Sequence, residues 1–129
     1  MRKILFRGKP KSELIDWIYG CYFWSELSGK HYIMGVSKDY GYTNIEVIPE
    51  TVGQYTGLKD KNGKEIFEGD IIKVPYRRDF GICKYEIPEC HYCYDMQGDG
   101  DWIEIGEWAS EVEVIGNIHD TPELLEAEG

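Results

Sequence analysis

Apolar and polar positions along this chain alternate with a period of two far more often than with the 3.6 period of a helix. Thr43-Asn44-Ile45-Glu46-Val47-Ile48 alternates polar and apolar, and Trp102-Ile103-Glu104-Ile105 and Glu111-Val112-Glu113-Val114-Ile115 alternate cleanly. That spacing puts successive side chains on opposite faces of a strand with one wet side. Other stretches are denser. Ile4-Leu5-Phe6 is a short apolar run closed by Lys9-Pro10-Lys11-Ser12. Trp17–Trp24 and His31–Val36 are aromatic and β-prone and flank Ser28-Gly29-Lys30, which reads as a hairpin turn. Asp39-Tyr40-Gly41 reads as a further turn, and Pro49 closes the strand before it.

The middle of the chain carries the clearest turn chemistry. Asn62-Gly63 suits a tight reversal, because glycine takes positive φ cheaply and asparagine tolerates it. Gly69-Asp70 then feeds the apolar strand Ile71-Ile72-Lys73-Val74. Phe80–Ile87 reads as another strand, and Pro88–Asp101 as a polar loop or hairpin tip. Gly116-Asn117 is expected to bend the chain. Thr121 suits the cap of a short C-terminal helix with Pro122 and Glu123 in its first turn. Ser12-Glu13-Leu14-Ile15-Asp16 offers a second helical turn. The expected fold is mainly β (β-rich α+β): a bent antiparallel sheet or small SH3-like barrel, with a short C-terminal helix, in one domain over residues 1–129.

Bulk composition agrees with a folded domain. The chain has 129 residues, 42% of them apolar, with ten tyrosines and four tryptophans; such aromatic enrichment favours strands. The opening segment lacks the apolar stretch of about 7–15 residues that a secretory leader needs. No window approaches the roughly 18 apolar residues of a membrane span. These features point to a cytoplasm and away from the membrane, and in that compartment the four cysteines are expected as thiols.

Charge changes the picture more than its total of −10 suggests. Residues 1–84 hold all 14 basic side chains and 11 acidic ones, a balance of +3. Residues 85–129 hold 13 acidic side chains and no Lys or Arg. A surface that acidic repels nucleic acid and attracts a basic partner, or serves solubility. The N-terminal cluster Arg2, Lys3, Arg7, Lys9 and Lys11 is read as meeting phosphate or, preferably, the acidic half of this or a neighbouring chain.

Several phrases together resemble the YopX family of phage and prophage proteins. They are Lys3-Ile4-Leu5-Phe6-Arg7-Gly8, Trp17-Ile18-Tyr19-Gly20, the long run from Val47 to Ile72, and the closing run from Val114 to Leu125. The resemblance implies a mostly β fold and a phage origin, hence the cytoplasm of a bacterial host. It brings no activity, cofactor or catalytic residue. The long run is rich in Gly, Asn and Asp at turns, so its expected role is structural.

Candidate chemistry is thin. Cys90 and Cys93 form a Cys-x-x-Cys pair with Cys83 upstream and His91 between them; a zinc site wants a second pair, which leaves His31 or His119 as the fourth ligand. Metal binding by Cys83, Cys90 and Cys93 stays open against the reading as reduced thiols. Asp95–Asp101 imitates part of a calcium loop, but position 12 is Gly106 in place of glutamate. Glu111 with Glu113, and Glu104 with Glu107, read as solvated faces. No catalytic, cofactor-binding or metal residues are assigned. The functional expectation is a non-enzymatic protein-binding module whose partner is a second copy of itself, as a homo-oligomer, or a bacterial host protein. Two alternatives stand beside it: an acidic mimic of nucleic acid, and a small β-barrel nucleic-acid binder.

Overall fold

A computed structural model describes residues 3–13, 16–37, 41–75, 77–86, 91–98 and 101–126. The chain divides into two compact units, Met1–Tyr55 and Thr56–Gly129.

The first unit is an antiparallel sheet. Its strands are β1 (Phe6–Gly8), β2 (Ile18–Trp24), β3 (His31–Ser37), β4 (Gly41–Glu46) and the start of β5 (Gly53–Lys59), in the order β4-β3-β2-β1-β5. The β2–β3 hairpin is the one expected from the aromatic runs. Its register pairs Trp24 with His31 and Gly20 with Gly35. Period two sorts the side chains: Ile18 and Ile33 go inward with Val47, and Phe6, Tyr22, Ile45 and Val52 pack around them. Tyr19, Phe23 and Met34 lie exposed. A single 3-10 turn, Pro49–Thr51, follows β4. There Thr51 Oγ1 donates to the Ile48 carbonyl at 2.6 Å and accepts from the Lys9 amide at 2.9 Å.

In the second unit β5 is followed by β6 (Glu65–Phe67), which lies beside it. A five-stranded sheet comes next, in the order β10-β9-β8-β7-β11, all antiparallel. Its strands are β7 (Asp70–Lys73), β8 (Phe80–Glu86), β9 (His91–Met96), β10 (Trp102–Glu104) and β11 (Glu113–Asn117), with one helical turn, α1 (Ile105–Trp108), between the last two. Ile66, Ile72, Val74, Cys83, Tyr94, Met96, Ile105, Ala109, Val112 and Val114 form the core. The Gly69-Asp70 entry is as expected. Gly69 sits at φ +90°, a conformation a side chain resists. Buried Asp70 accepts the Phe67 amide at 2.8 Å, which closes the turn into β7.

The mainly β expectation holds, and three finer ones change. The sheets stay open: β10 and β11 are the two edges of one and β4 an edge of the other, so no SH3-like barrel closes. The C-terminal segment makes only a 3-10 turn, Pro122–Leu125, in place of an α-helix. Thr121 holds the cap position as expected but makes no side-chain cap bond; its hydroxyl donates to the Asn117 carbonyl and accepts the Asn117 amide, both at 3.1 Å. The span Pro88–Asp101, read as a loop, contains strand β9. Pro, Gly and Asp at its flanks mask the alternation Tyr92, Tyr94, Met96 that faces the core. Gly116-Asn117 belongs to β11, with the ladder irregularity between Val114 and Gly116 supplying the bend. The helical turn expected at Ser12–Asp16 and the turn at Asp39-Tyr40-Gly41 fall partly outside the described residues.

Tyr94 is fully buried, and its hydroxyl has no hydrogen-bond partner among the described residues. Burial foremost, then the nearby Cys83, Asp70 and Asp60, push its phenol well above the ordinary value. A buried unpaired hydroxyl costs roughly 1–3 kcal/mol. Tyr94→Phe keeps the ring and removes that cost, so the urea midpoint is expected to rise, by about 1 kcal/mol of stability. A Phe variant less stable than the wild type would mean that the hydroxyl holds a buried water.

Candidate binding site

The register of β8, β9 and β10 decides what shares a face. Cys83 pairs with Tyr94, and Tyr94 with Ile103; these side chains face the core. The alternate positions form the outer face: Glu86 opposite His91, Lys84 opposite Cys93, Cys93 opposite Glu104, and Asp95 opposite Trp102. Glu86, His91, Cys93 and Trp102 line a concavity of about 390 Å³. Cys93 is buried at its floor, Glu86 and His91 are half-buried, and Trp102 is 52% exposed.

The hydrogen bonds fix part of its chemistry. His91 Nδ1 lies 3.1 Å from the Tyr92 carbonyl oxygen. A carbonyl only accepts, so Nδ1 carries the hydrogen and Nε2 of the neutral ring keeps a lone pair. Two cations of this unit are engaged. Lys84 Nζ is 2.8 Å from Asp95 Oδ2. Arg77 grips Asp79 through Nε and Nη2 at 3.0 and 2.9 Å and reaches Asp101 at 3.5 Å. The Arg77 hydrogen bonds, outweighing burial, hold the Asp79 carboxyl below its ordinary value. The concavity therefore offers acceptors, an aromatic ring and an apolar floor.

The sequence candidates fare differently. Cys83 and Cys93 lie on opposite faces of the β8–β9 ribbon, so one ion cannot take both; Cys90 lies outside the described residues. His31 shares a 2.6 Å hydrogen bond with the Tyr22 hydroxyl in the first unit, and His119 sits by the Gly69 turn. In the calcium-loop imitation, Asp95 and Asp101 hold Lys84 and Arg77, and Asp99 and Gly100 are outside the described residues. Among the described residues, no cluster of three or more His, Cys, Asp or Glu could hold a metal. Glu113 of β11 is 3.7 Å from Lys61, and Glu111 is exposed in the preceding turn.

Of the N-terminal basic cluster, Arg2 lies outside the described residues, and the other four meet partners in their own unit. Buried Arg7 stacks on Trp17, 4.8 Å from the ring centroid, with Lys9 at 5.8 Å from the same ring. Lys11 pairs with Glu46 at 2.9 Å, and Lys3 lies over Tyr55. Among the described residues, no helix is long and apolar enough to cross a membrane.

The turns that carry the recognisable phrases are held by side chains accepting backbone amides. Asp60 binds Asn62, Lys64 and Val114. Asn117 Oδ1 accepts from His119 and Asp120, at 3.0 and 2.9 Å. The family model described as YopX protein matches residues 7–126. The chain belongs to the YopX family. A solved structure, protein EF1440 from Enterococcus faecalis, is similar over 97% of this chain and 99% of its own, with 23% identity and a TM-score of 0.57. That likeness concerns the fold alone. Comparison with curated proteins finds no match. In this YopX chain the long family phrase and the closing motif are thus built around turns and backbone satisfaction. The concavity lies elsewhere, on β8, β9 and β10; β8 and β10 fall in stretches that read as strands, while β9 falls in the span that reads as loop, where the Tyr92-Tyr94-Met96 alternation is the signal of a strand.

Proposed function

We propose that this YopX chain is a phage or prophage accessory protein that acts in the bacterial host cytoplasm as a non-enzymatic binding module for a basic protein. The single observation that carries this reading is the concavity with its Glu86, His91 and Trp102 rim, at the start of a 45-residue stretch, residues 85–129, without Lys or Arg. Concave sites with an aromatic wall and a few convergent polar groups are where partners and ligands bind. The same acidity disfavours nucleic acid as the partner, while permitting imitation of it towards a host nucleic-acid-binding protein.

The test is capture from host lysate on immobilised protein, with release by salt. The Debye length falls from about 10 Å at 0.1 M to about 3 Å at 1 M, so a basic partner is expected to leave steeply over that range. A bound protein that ignores salt, or no bound protein, would overturn the reading. A second copy of the chain is the other occupant to separate out. The exposed row Tyr19, Phe23 and Met34 on the β2–β3 face favours it. Sedimentation equilibrium of the purified protein distinguishes the two.

A further inference from the structure

We propose that the concavity on β8, β9 and β10 is a socket for one arginine side chain of the partner. The inference rests on the protein-binding reading above and names the group recognised. Its volume, about 390 Å³, is at the small end of ligand pockets, which span roughly 300–1,000 Å³; it has room for a long side chain.

The lining chooses the charge. Glu86 supplies a carboxylate, and the tautomer set by the Tyr92 carbonyl gives His91 an acceptor at Nε2. Trp102 supplies an indole face, half open to solvent. The buried Cys93 floor is apolar in character. An anion would meet two acceptors and a negative surround. A cation meets a ring quadrupole, which attracts it within about 6 Å of the centroid, and a carboxylate. Lys84 and Arg77 do not compete, because Lys84 is closed on Asp95 and Arg77 on Asp79 and Asp101.

The lining also chooses between the two cationic side chains. Guanidinium is planar, weakly hydrated and forked. It stacks on an indole while pairing with both oxygens of a carboxylate. An ammonium is a compact, strongly hydrated point charge that gains less from such a wall.

The experiment is an NMR titration of the whole chain with N-acetyl-arginine methylamide. Its uncharged citrulline counterpart and its lysine counterpart serve as comparisons. Saturable shifts are expected at the Trp102 indole and the His91 ring, at about millimolar affinity for so small a probe. Glu86→Gln is expected to weaken binding about tenfold or more, the usual worth of a hydrogen bond to a charged group. Its amide spectrum away from the site should match the wild type, since Glu86 stands half-buried at the end of β8. Equal shifts from citrulline, equal affinity for lysine, unweakened binding to Glu86→Gln, or no shift with arginine would each overturn the socket. Capture from lysate separates this from the broader reading. If the wild type holds a basic partner and Glu86→Gln holds as much, the socket is overturned and the binding function stands. If the wild type holds none, the binding function itself falls.

Discussion

Asp60→Ala is expected to remove about 3–5 kcal/mol of stability, a large share of the roughly 5–15 kcal/mol that holds a domain of ordinary size. Asp60 is 6% exposed. Its Oδ1 accepts the amides of Asn62 at 2.8 Å and Lys64 at 2.9 Å, which ties the Asn62-Gly63 reversal. Its Oδ2 accepts the amide of Val114 at 2.9 Å, in a buried position on β11. Hydrogen bonds to a charged group contribute roughly 1.5–3 kcal/mol each, and a buried amide left unpaired costs about 1–3 kcal/mol. Alanine takes away all three acceptors at once and strands the Val114 N–H. Urea unfolding should show the midpoint falling with the slope unchanged. A loss below about 1 kcal/mol would mean that the turn and β11 hold without it.

The same residue sets a pH dependence. Burial pulls the Asp60 carboxyl upward, but the amides of Val114, Lys64 and Asn62 together outweigh it, so the folded-state value lies below the ordinary one. The unfolded chain, near 3.9, then binds this proton more readily than the folded one. The contribution of Asp60 is therefore fully present above that value and is lost as pH falls through the lower folded value. Asp60→Ala should flatten the acid limb of the stability curve below about pH 4. An acid limb of unchanged slope would assign it to other carboxylates.

Gly20→Ala is the second large effect, expected at about 3 kcal/mol, the upper range for overpacking a close-packed site. Gly20 faces Gly35 across β2 and β3. A Cβ at Gly20 would lie 2.0 Å from the Met34 carbonyl oxygen, and one at Gly35 would lie 2.2 Å from that of Tyr19. Both obstacles are backbone, so relief requires the strands to part. The core beneath is small, with Ile18, Ile33 and Val47 at its centre, and has little to resist with. Amide exchange should report faster opening across β2 and β3. Unchanged protection there would show that the hairpin can spread at no cost.

The fold was legible wherever local chemistry and tertiary demand coincide. The β2–β3 hairpin follows from two aromatic runs around Ser28-Gly29-Lys30, and the β7 entry follows from Gly69-Asp70. What stayed hidden depends on distance along the chain. Nothing near Asp60 announces that one oxygen reaches Val114, 54 residues away. β9 hides because its flanks carry turn residues, and because Cys93, on its outer face, is as buried as its inward Tyr94. The concavity follows from register, Glu86 opposite His91, and register is not written in either strand alone. The turn signals suggest barrel closure, but closure depends on how edge strands meet, which composition does not specify.

Asp60, Asp70, Asn117 and Thr121 also divide labour within the molecule. Each holds backbone amides at a turn, and none of them lines the concavity. Glu86 and Trp102 carry no such duty. The frame and the recognition face can therefore change independently. Exchanging two or three outer-face side chains of β8, β9 and β10 would re-aim this scaffold at a new partner while its turns, and the phrase by which it is recognised, stayed the same.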